Sequence, residues 1–399
     1  MSRRMLLALV LVSQLAPAAR STEISIDGQV RVRSEGADRS QRSREMIWDI
    51  LQRTRLGLRA DVSDEVDLYV QLQDSRTYGS ESSTLSSSLN VDLHQGWAEV
   101  RKPWGTAEMQ VRVGRQELAY GNERILGAVG WSNIGRAFDG MHARLAHGNW
   151  SFDLGAFRLR EDRPTPDASD DLFMSYNSYA FPDRDVRAEF YALYRDDDLG
   201  FYETTLGEHA SGRVGLVRFD HEFAVQLGSF LGADVEAFLF SAQAHIGAGS
   251  HAEFGAGFDL VSGDDDLNDA TSRHFSLERL FHTGHKFYGL MDSALALSGS
   301  AGLLDPYGRV GLKGPHDVRA DVTVHVFYTH RDFTTPLSTS PLSDSRYLGT
   351  EVDATLGVAV ASGTRFELGG AVLVPGRQLE DRGLDKAAVW AYAQGIVSF

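Results

Sequence analysis

The chain of 399 residues has no cysteine, so no disulfide holds it together and another framework, such as a large hydrogen-bonded sheet, must do so. No stretch approaches the ~20 consecutive apolar residues of a spanning helix. Lysine is scarce: four of the 39 basic residues, against 35 arginines. Arginine forms bidentate pairs with carboxylates, so the bias suits an acidic ligand, although an arginine-favouring codon usage explains it equally well. The net charge of −16 argues against a nucleic-acid partner. Much of that charge sits in loop-like clusters at Asp167–Asp171, Asp196–Asp198 and Asp264–Asp266, so the interior is free to differ in sign from the whole.

What is present is alternation with a period of two, which specifies strands. Leu56, Leu58, Ala60 and Val62 share one face, and Arg53, Arg55 and Arg59 the other. Val66, Leu68, Val70 and Leu72 alternate with Asp67, Tyr69, Gln71 and Gln73. The same pattern recurs at Glu108–Val113, Val318–Phe327, Tyr347–Val358 and Arg365–Leu368. Connections alternate in length. Short ones lie at Asp61–Glu65, Lys102–Thr106, His147–Asn149, Gly247–Ser250, Lys313–Asp317 and Ser362–Gly363. Long ones lie at Ser34–Met46, Ser75–Asn90, Gln116–Asn133, Glu161–Asp185, Ser262–Gly302, Arg331–Arg346 and Pro375–Lys386. A soluble sandwich has short loops at both ends. Short turns on one rim and long loops on the other are the pattern of an outer-membrane barrel.

Both chain ends fit that class. Arg3 and Arg4, the apolar run Met5–Val12 and the small residues Ala16, Ala18, Ala19 and Ser21 form an expected signal peptide over residues 1–21. The C-terminal AAVWAYAQGIVSF is an amphipathic strand ending in an aromatic, Phe399. The expected fold is therefore all-β: a single transmembrane antiparallel β-barrel over residues 22–399, with short periplasmic turns and long extracellular loops in a bacterial outer membrane, surrounded by lipid. Strands are expected near 23–33, 48–60, 66–74, 91–101, 107–115, 138–146, 150–160, 186–195, 214–228, 234–246, 251–261, 303–313, 318–330, 347–361, 364–374 and 387–399. That is sixteen, and Asp196–Gly212 is too long for a periplasmic turn and leaves room for two more, hence 16–18. A closed barrel satisfies every backbone group within lipid and, at this width, leaves a wet lumen.

In a pore the lumen lining carries the chemistry. By parity Arg53, Arg55, Arg59, Arg144, Arg319 and Arg365 point inward, with Glu351, Asp353 and Glu367 interleaved. Charged rings set selectivity by sign; the alternative is that arginines and carboxylates ladder together only to stiffen the wall. The segment GRQELAYGNERILGAVGWSNIGRAFDG, Gly114–Gly140, is polar and glycine-punctuated. Arg115 falls on the apolar phase of Val111 and Val113, so a bulge at Gly114, or the strand's exit from the lipid zone, is expected to turn it inward. The loop Gln116–Asn133 then folds back, and Arg115, Glu123, Arg124, Arg136 and Asp139 form a constriction or a set of structural pairs.

The GRQEL.YG, W-S-N and R.FDG elements of this segment resemble the alginate-export family of outer-membrane barrels. So does FDLVSGDDDLNDA with the following FSLERLFHTGHKFYGLMD. The resemblance implies eighteen strands and a passive channel for an anionic polysaccharide such as polymannuronate, in contact with oligouronate and a periplasmic export scaffold. His285 and Lys286 are candidate sugar-acid donors on an external loop. Carboxylates at 263–269 raise calcium binding, but the spacing lacks the EF-hand order, so no metal and no cofactor is expected. Three other readings remain: a general porin, a plugged structural barrel, and a barrel enzyme. For the last, Gly130-Trp131-Ser132-Asn133-Ile134 fails the G-x-S-x-G pattern at its final position.

Overall fold

The computed structural model describes residues 22–38, 46–81, 90–160, 169–197, 201–230, 232–265, 273–278, 281–315, 317–334 and 341–399. The expected signal peptide lies outside them. Eighteen strands run in order: β1 (Glu23–Asp38), β2 (Ile47–Asp61), β3 (Val66–Thr77), β4 (Val91–Trp104), β5 (Ala107–Gln116), β6 (Phe138–His147), β7 (Trp150–Arg160), β8 (Asp170–Ala180), β9 (Val186–Asp196), β10 (Tyr202–Val214), β11 (Val217–Phe230), β12 (Ala233–Ala248), β13 (Ala252–Val261), β14 (Leu303–Lys313), β15 (Arg319–Thr329), β16 (Tyr347–Ala361), β17 (Thr364–Pro375) and β18 (Ala388–Ser398). Each pairs antiparallel with its neighbours in sequence, and β1 pairs with both β2 and β18, closing the sheet. Closure removes both edges, so the strand backbone needs nothing from lipid.

The apolar face of the strands points outward. Leu56 is 53% exposed, Val322 46% and Leu368 55%, while the preceding Arg55, Asp321 and Glu367 are on the inward parity. Such a surface is insoluble in water and complementary to a bilayer. Aromatics mark both rims: Trp48 and Tyr202 at the long-loop end, Trp104, Trp150 and Phe399 at the turn end, all exposed. β1 and the C-terminal residue meet on the turn side, where Gly28 and Phe399 exchange backbone hydrogen bonds of 3.1 Å. The Phe399 ring rests on Gly28, where a Cβ would come within 2.5 Å of it.

The count of eighteen exceeds the sixteen ranges read from alternation. One further strand, β10, lies in the over-long Asp196–Gly212 segment; the other, β8, lies inside Glu161–Asp185, which had the pattern of one long loop. In β8 the apolar Leu172, Met174 and Tyr176 face inward and are buried, while Ser175 and Asn177 face lipid. Apolar residues on the lumenal parity cancel the alternation. The long-and-short rule also relaxes here, because the β9–β10 and β11–β12 connections span only 197–201 and 231–232.

The core is in the lumen rather than in the wall. Long connections fold back and pack there: residues 117–137 after β5, residues 262–302 after β13, which include α1 (Ala294–Ser298), and the β17–β18 connection with α2 (Arg377–Asp381). Leu126, Met291, Leu303, Phe327, Leu348, Leu373, Leu379 and Trp390 are almost wholly buried in this cluster. Arg382, after α2, donates to the Leu297 carbonyl at 2.8 Å and ties two of the loops together.

Candidate functional site

The site is the crossing of the lumen by the 117–137 loop. Gly121 (φ +56°) and Glu123 (φ +69°) tighten its first turn, closed by hydrogen bonds from Glu123 N to Tyr120 O (2.9 Å) and Tyr120 N to Leu126 O (3.0 Å). The loop then runs beside the β13–β14 connection. Gly127 N donates to Phe281 O (2.9 Å), Phe281 N to Ile125 O (3.2 Å) and Thr283 N to Glu123 O (2.9 Å). The Thr283 hydroxyl donates to Glu123 Oε2 at 2.8 Å and accepts from Val129 N at 3.2 Å. Two loops distant in sequence are thereby one body.

An arginine wall holds this body on one side. Arg31 and Arg33 of β1 and Arg53 and Arg55 of β2 face inward, with Arg31 directly opposite Arg53 in the ladder. Arg31 donates to Gly130 O and Ser132 O, each at 2.9 Å. Arg53 donates to the same two oxygens at 3.0 and 2.9 Å. Arg33 donates to Trp131 O at 2.8 Å and lies 3.9 Å over the Trp131 ring, whose other face stacks on His285 at 3.8 Å. Arg55 reaches Ile134 O at 3.3 Å and pairs with Glu117 at 3.0 Å. Glu117 also meets His94 at 2.6 Å. Burial pushes the Glu117 carboxyl up, but the hydrogen bonds and charges of His94 and Arg55 outweigh it and hold the group below its ordinary value. Among the described residues Arg31 and Arg53 have no carboxylate within 4.0 Å.

The opposite wall is acidic. In an eighteen-stranded barrel β10 lies half a turn from β1. There His209 bridges Glu189 (2.7 Å) and Asp220 (2.9 Å), and Asp220 accepts from Asn122 at 2.8 Å. Arg124, fully enclosed, pairs with Asp259 at 3.0 Å and lies 3.9 Å over Phe287. Burial opposes the Arg124 charge, yet Asp259 raises its pKa above the ordinary value. Further round, Asp353 and Glu351 accept from Leu290 N (3.1 Å) and Met291 N (3.0 Å). The loops thus bridge a basic wall and an acidic wall, which polarises the passage transversely. Beside the bridge a cavity of about 340 Å³ is lined by Ala119, Glu123, Ala128, Gly130, Trp131, Thr283, His285 and Lys286.

Several sequence expectations change here. Arg53 and Arg55 do line the bridge. Arg124 and Glu123 lie in it as anchors, and Arg136, its pKa lowered by burial, donates to Gly127 O (3.2 Å) and His282 O (3.3 Å). Arg115 and Asp139 do not turn inward. The β4–β5–β6 register passes Gly114 without a shift, and the next residue, Gln116, is the buried one. Arg115 and Asp139 pair at 2.6 Å on the outer face at the long-loop rim, since the strand has left the apolar zone. Arg59, Arg144, Arg319 and Arg365 face the lumen at the turn end, away from the bridge. Arg59 pairs with Asp61 (3.1 Å) and Asp67 (2.6 Å), Arg144 lies 3.9 Å from Asp153, and Arg365 pairs with Glu367 at 2.6 Å. Arg319 stands opposite Lys313 in the ladder.

His285 and Lys286 are not on an external loop. His285 is sandwiched with Trp131 and bonds Asp292 at 2.9 Å; Lys286 donates to Asn122 O at 2.8 Å. Asp264 is buried and accepts from Phe275 N at 3.2 Å, while Asn268 and Asp269 lie outside the described residues. Among the described residues no group of three or more His, Asp or Glu side chains is placed to hold a metal. Arg31 and Arg33 were missed although the signal was available: V-R-V-R at 30–33 has the spacing and parity of R-T-R at 53–55.

A closed, outward-apolar barrel with loops folded into a charged lumen defines an outer-membrane channel. The chain belongs to the alginate export family, whose sequence profile matches residues 22–388. Among solved structures it is similar to Pseudomonas aeruginosa OccK11 (OpdR), at 12% identity and a TM-score of 0.61, over 94% of this chain and 96% of that one. It is similar also to OpdK of the same organism, solved with vanillate, at 12% identity and 0.63 over 94% and 98%. Acinetobacter baumannii OccAB1 matches at 11% and 0.63 over 94% and 96%. At these identities the likeness is one of fold. No curated protein sequence matches the chain.

Proposed function

We propose that this channel passes anionic saccharides, from single sugar acids to an extended oligouronate or polyuronate strand, by passive diffusion along the arginine wall and without a catalytic step. The observation that carries the reading is the pair Arg31 and Arg53: two buried guanidinium groups whose partners are backbone carbonyls and, for Arg53, the neutral Gln29 side chain at 2.8 Å, so this pair has no carboxylate in direct contact, whereas Arg33 and Arg55 beside it pair with Glu35 and Glu117. A carboxylate passing the bridge meets that charge, and the acidic wall opposite repels it towards the arginines. The cavity beside the bridge lies within the usual range of small-ligand pockets. The interlocked loops favour a solute one sugar wide over a bulky polymer. A small aromatic carboxylate such as vanillate has the same handle, and a polymer arriving from the periplasm would come from an export scaffold. The test is block of single-channel current: oligouronate added at micromolar to millimolar concentration interrupts the current, and a neutral oligosaccharide of equal length does not. Equal block by both would leave a general porin.

A further inference from the structure

A second concentration of positive charge lies at the other end of the lumen and on its other side. Arg213 of β10, Arg218 of β11 and Lys313 of β14 face inward at the turn end. With His245, Ser250 and Glu253 they line a cavity of about 180 Å³. The ladder sets Arg213 directly opposite Arg218, and Lys313 directly opposite Arg319. Like charges so placed repel and weaken a sheet. A wall that is only being stiffened pairs opposite signs, as Arg309 and Asp321 do at 2.7 Å deeper in β14 and β15. Arg218 pairs with Glu253 at 2.8 Å, whereas among the described residues neither Arg213 nor Lys313 has a carboxylate within 4.0 Å. Their backbones are pinned: Arg213 N donates to Asp185 O at 2.6 Å, and Lys313 N to His251 O at 2.7 Å. His245 is buried, and its Nδ1 has no hydrogen-bond partner among the described residues.

Three fixed positive charges against one carboxylate leave this corner positive, so its chemistry selects an anion. Size and the lone Glu253 narrow the class. The cavity is smaller than the ~300 Å³ of drug-sized pockets and has room for one sugar ring rather than a chain. Gly247 and Gly249 keep its rim bare of side chains. Glu253 repels a phosphate dianion yet accepts hydrogen bonds from hydroxyls, and Ser250 and His245 bond hydroxyls as well. We infer that the corner is a binding site for a single sugar acid, its carboxylate held by Arg213 and Lys313 and its hydroxyls by Glu253, Ser250 and His245. The ligand class rests on the anionic-saccharide reading above; the positive cavity does not. β10 and β11 lie across the barrel from β1 and β2, so this site is separate from the Arg31–Arg53 bridge and does not extend that wall.

The scarcity of lysine makes the test direct, because the exposed Lys313 is one of only four. The refolded full chain is acetylated briefly with acetic anhydride at constant pH, with and without millimolar galacturonate, and each lysine is followed by mass spectrometry. The expected result is a severalfold slower acetylation of Lys313, with Lys102 and Lys386 unchanged. Glucose and inorganic phosphate at the same concentration give no protection. Arg213→Ala, which breaks no ion pair among the described residues, abolishes the protection, while unheated gel mobility shows the barrel folded. Equal rates at Lys313 with and without galacturonate, equal protection by phosphate, or protection that survives Arg213→Ala would each overturn the inference. Block of the current by oligouronate with no protection of Lys313 would sink this site and leave the channel reading intact; protection without block would do the opposite.

Discussion

Arg31 and Arg53 face each other across the β1–β2 ladder and donate to the same two oxygens, those of Gly130 and Ser132. Two like charges are held side by side by one loop segment, with no carboxylate between them. The pair therefore both fixes the loop across the lumen and supplies the field a solute meets. Replacing both by alanine removes charge and orphans two carbonyls, each worth about 1–3 kcal/mol when buried without a partner. The expected outcome is a severalfold fall in the anion-to-cation permeability ratio together with a larger and noisier unit conductance as the loop loosens. Unchanged selectivity would make these arginines purely structural.

Arg124 anchors the same loop to the wall through Asp259, and both are buried. Arg124→Met leaves Asp259 charged and alone, which costs about 3–5 kcal/mol. Urea unfolding followed by tryptophan fluorescence is expected to move to lower urea, and Asp259→Asn in the same chain to recover part of the loss. A midpoint equal to wild type in the single variant would refute the anchor.

Glu117 is the acid that tempers Arg55. Its pKa in the fold lies below the ordinary value of 4.5, so the group is charged at neutral pH and its contribution is present above that value. As pH falls through the lowered pKa, the carboxylate takes a proton and Arg55 loses its counter-charge. Anion preference is then expected to rise on acidification below pH 4.5, and Glu117→Gln to show the raised preference already at pH 7. A variant that still gains preference on acidification would assign the titration to another group.

Arg115 and Asp139 pair on the outside of the barrel. Alanine at either position should leave ion selectivity as in wild type and change stability by no more than about 0.5 kcal/mol. A selectivity shift comparable to that of the Arg31 and Arg53 double variant would place them in the path after all.

These four cases show how far the sequence carries. The barrel class was legible because membrane strands must alternate, and Leu56, Val322 and Leu368 do so. β8 was not, since the loops packed inside the barrel let Leu172, Met174 and Tyr176 occupy the lumenal parity. Arg53 and Arg55 were readable from spacing, as Arg31 and Arg33 would have been by the same argument. Arg115 was misplaced because a change of polarity along a strand has two causes, a turn of the side chain or an exit from lipid, and only the register distinguishes them. The Glu123–Thr283 contact joins residues 160 apart and leaves no local trace in composition or period.

The most direct test of the arginine wall is the zero-current potential of the refolded channel in a planar bilayer separating about 0.1 M from about tenfold higher KCl, where Debye screening on the dilute side extends ~10 Å. An anion-selective lumen places the sign of that potential on the chloride side and moves it towards zero when Arg31 and Arg53 are both replaced. A wild-type potential of the opposite sign, on the potassium side, would contradict the account.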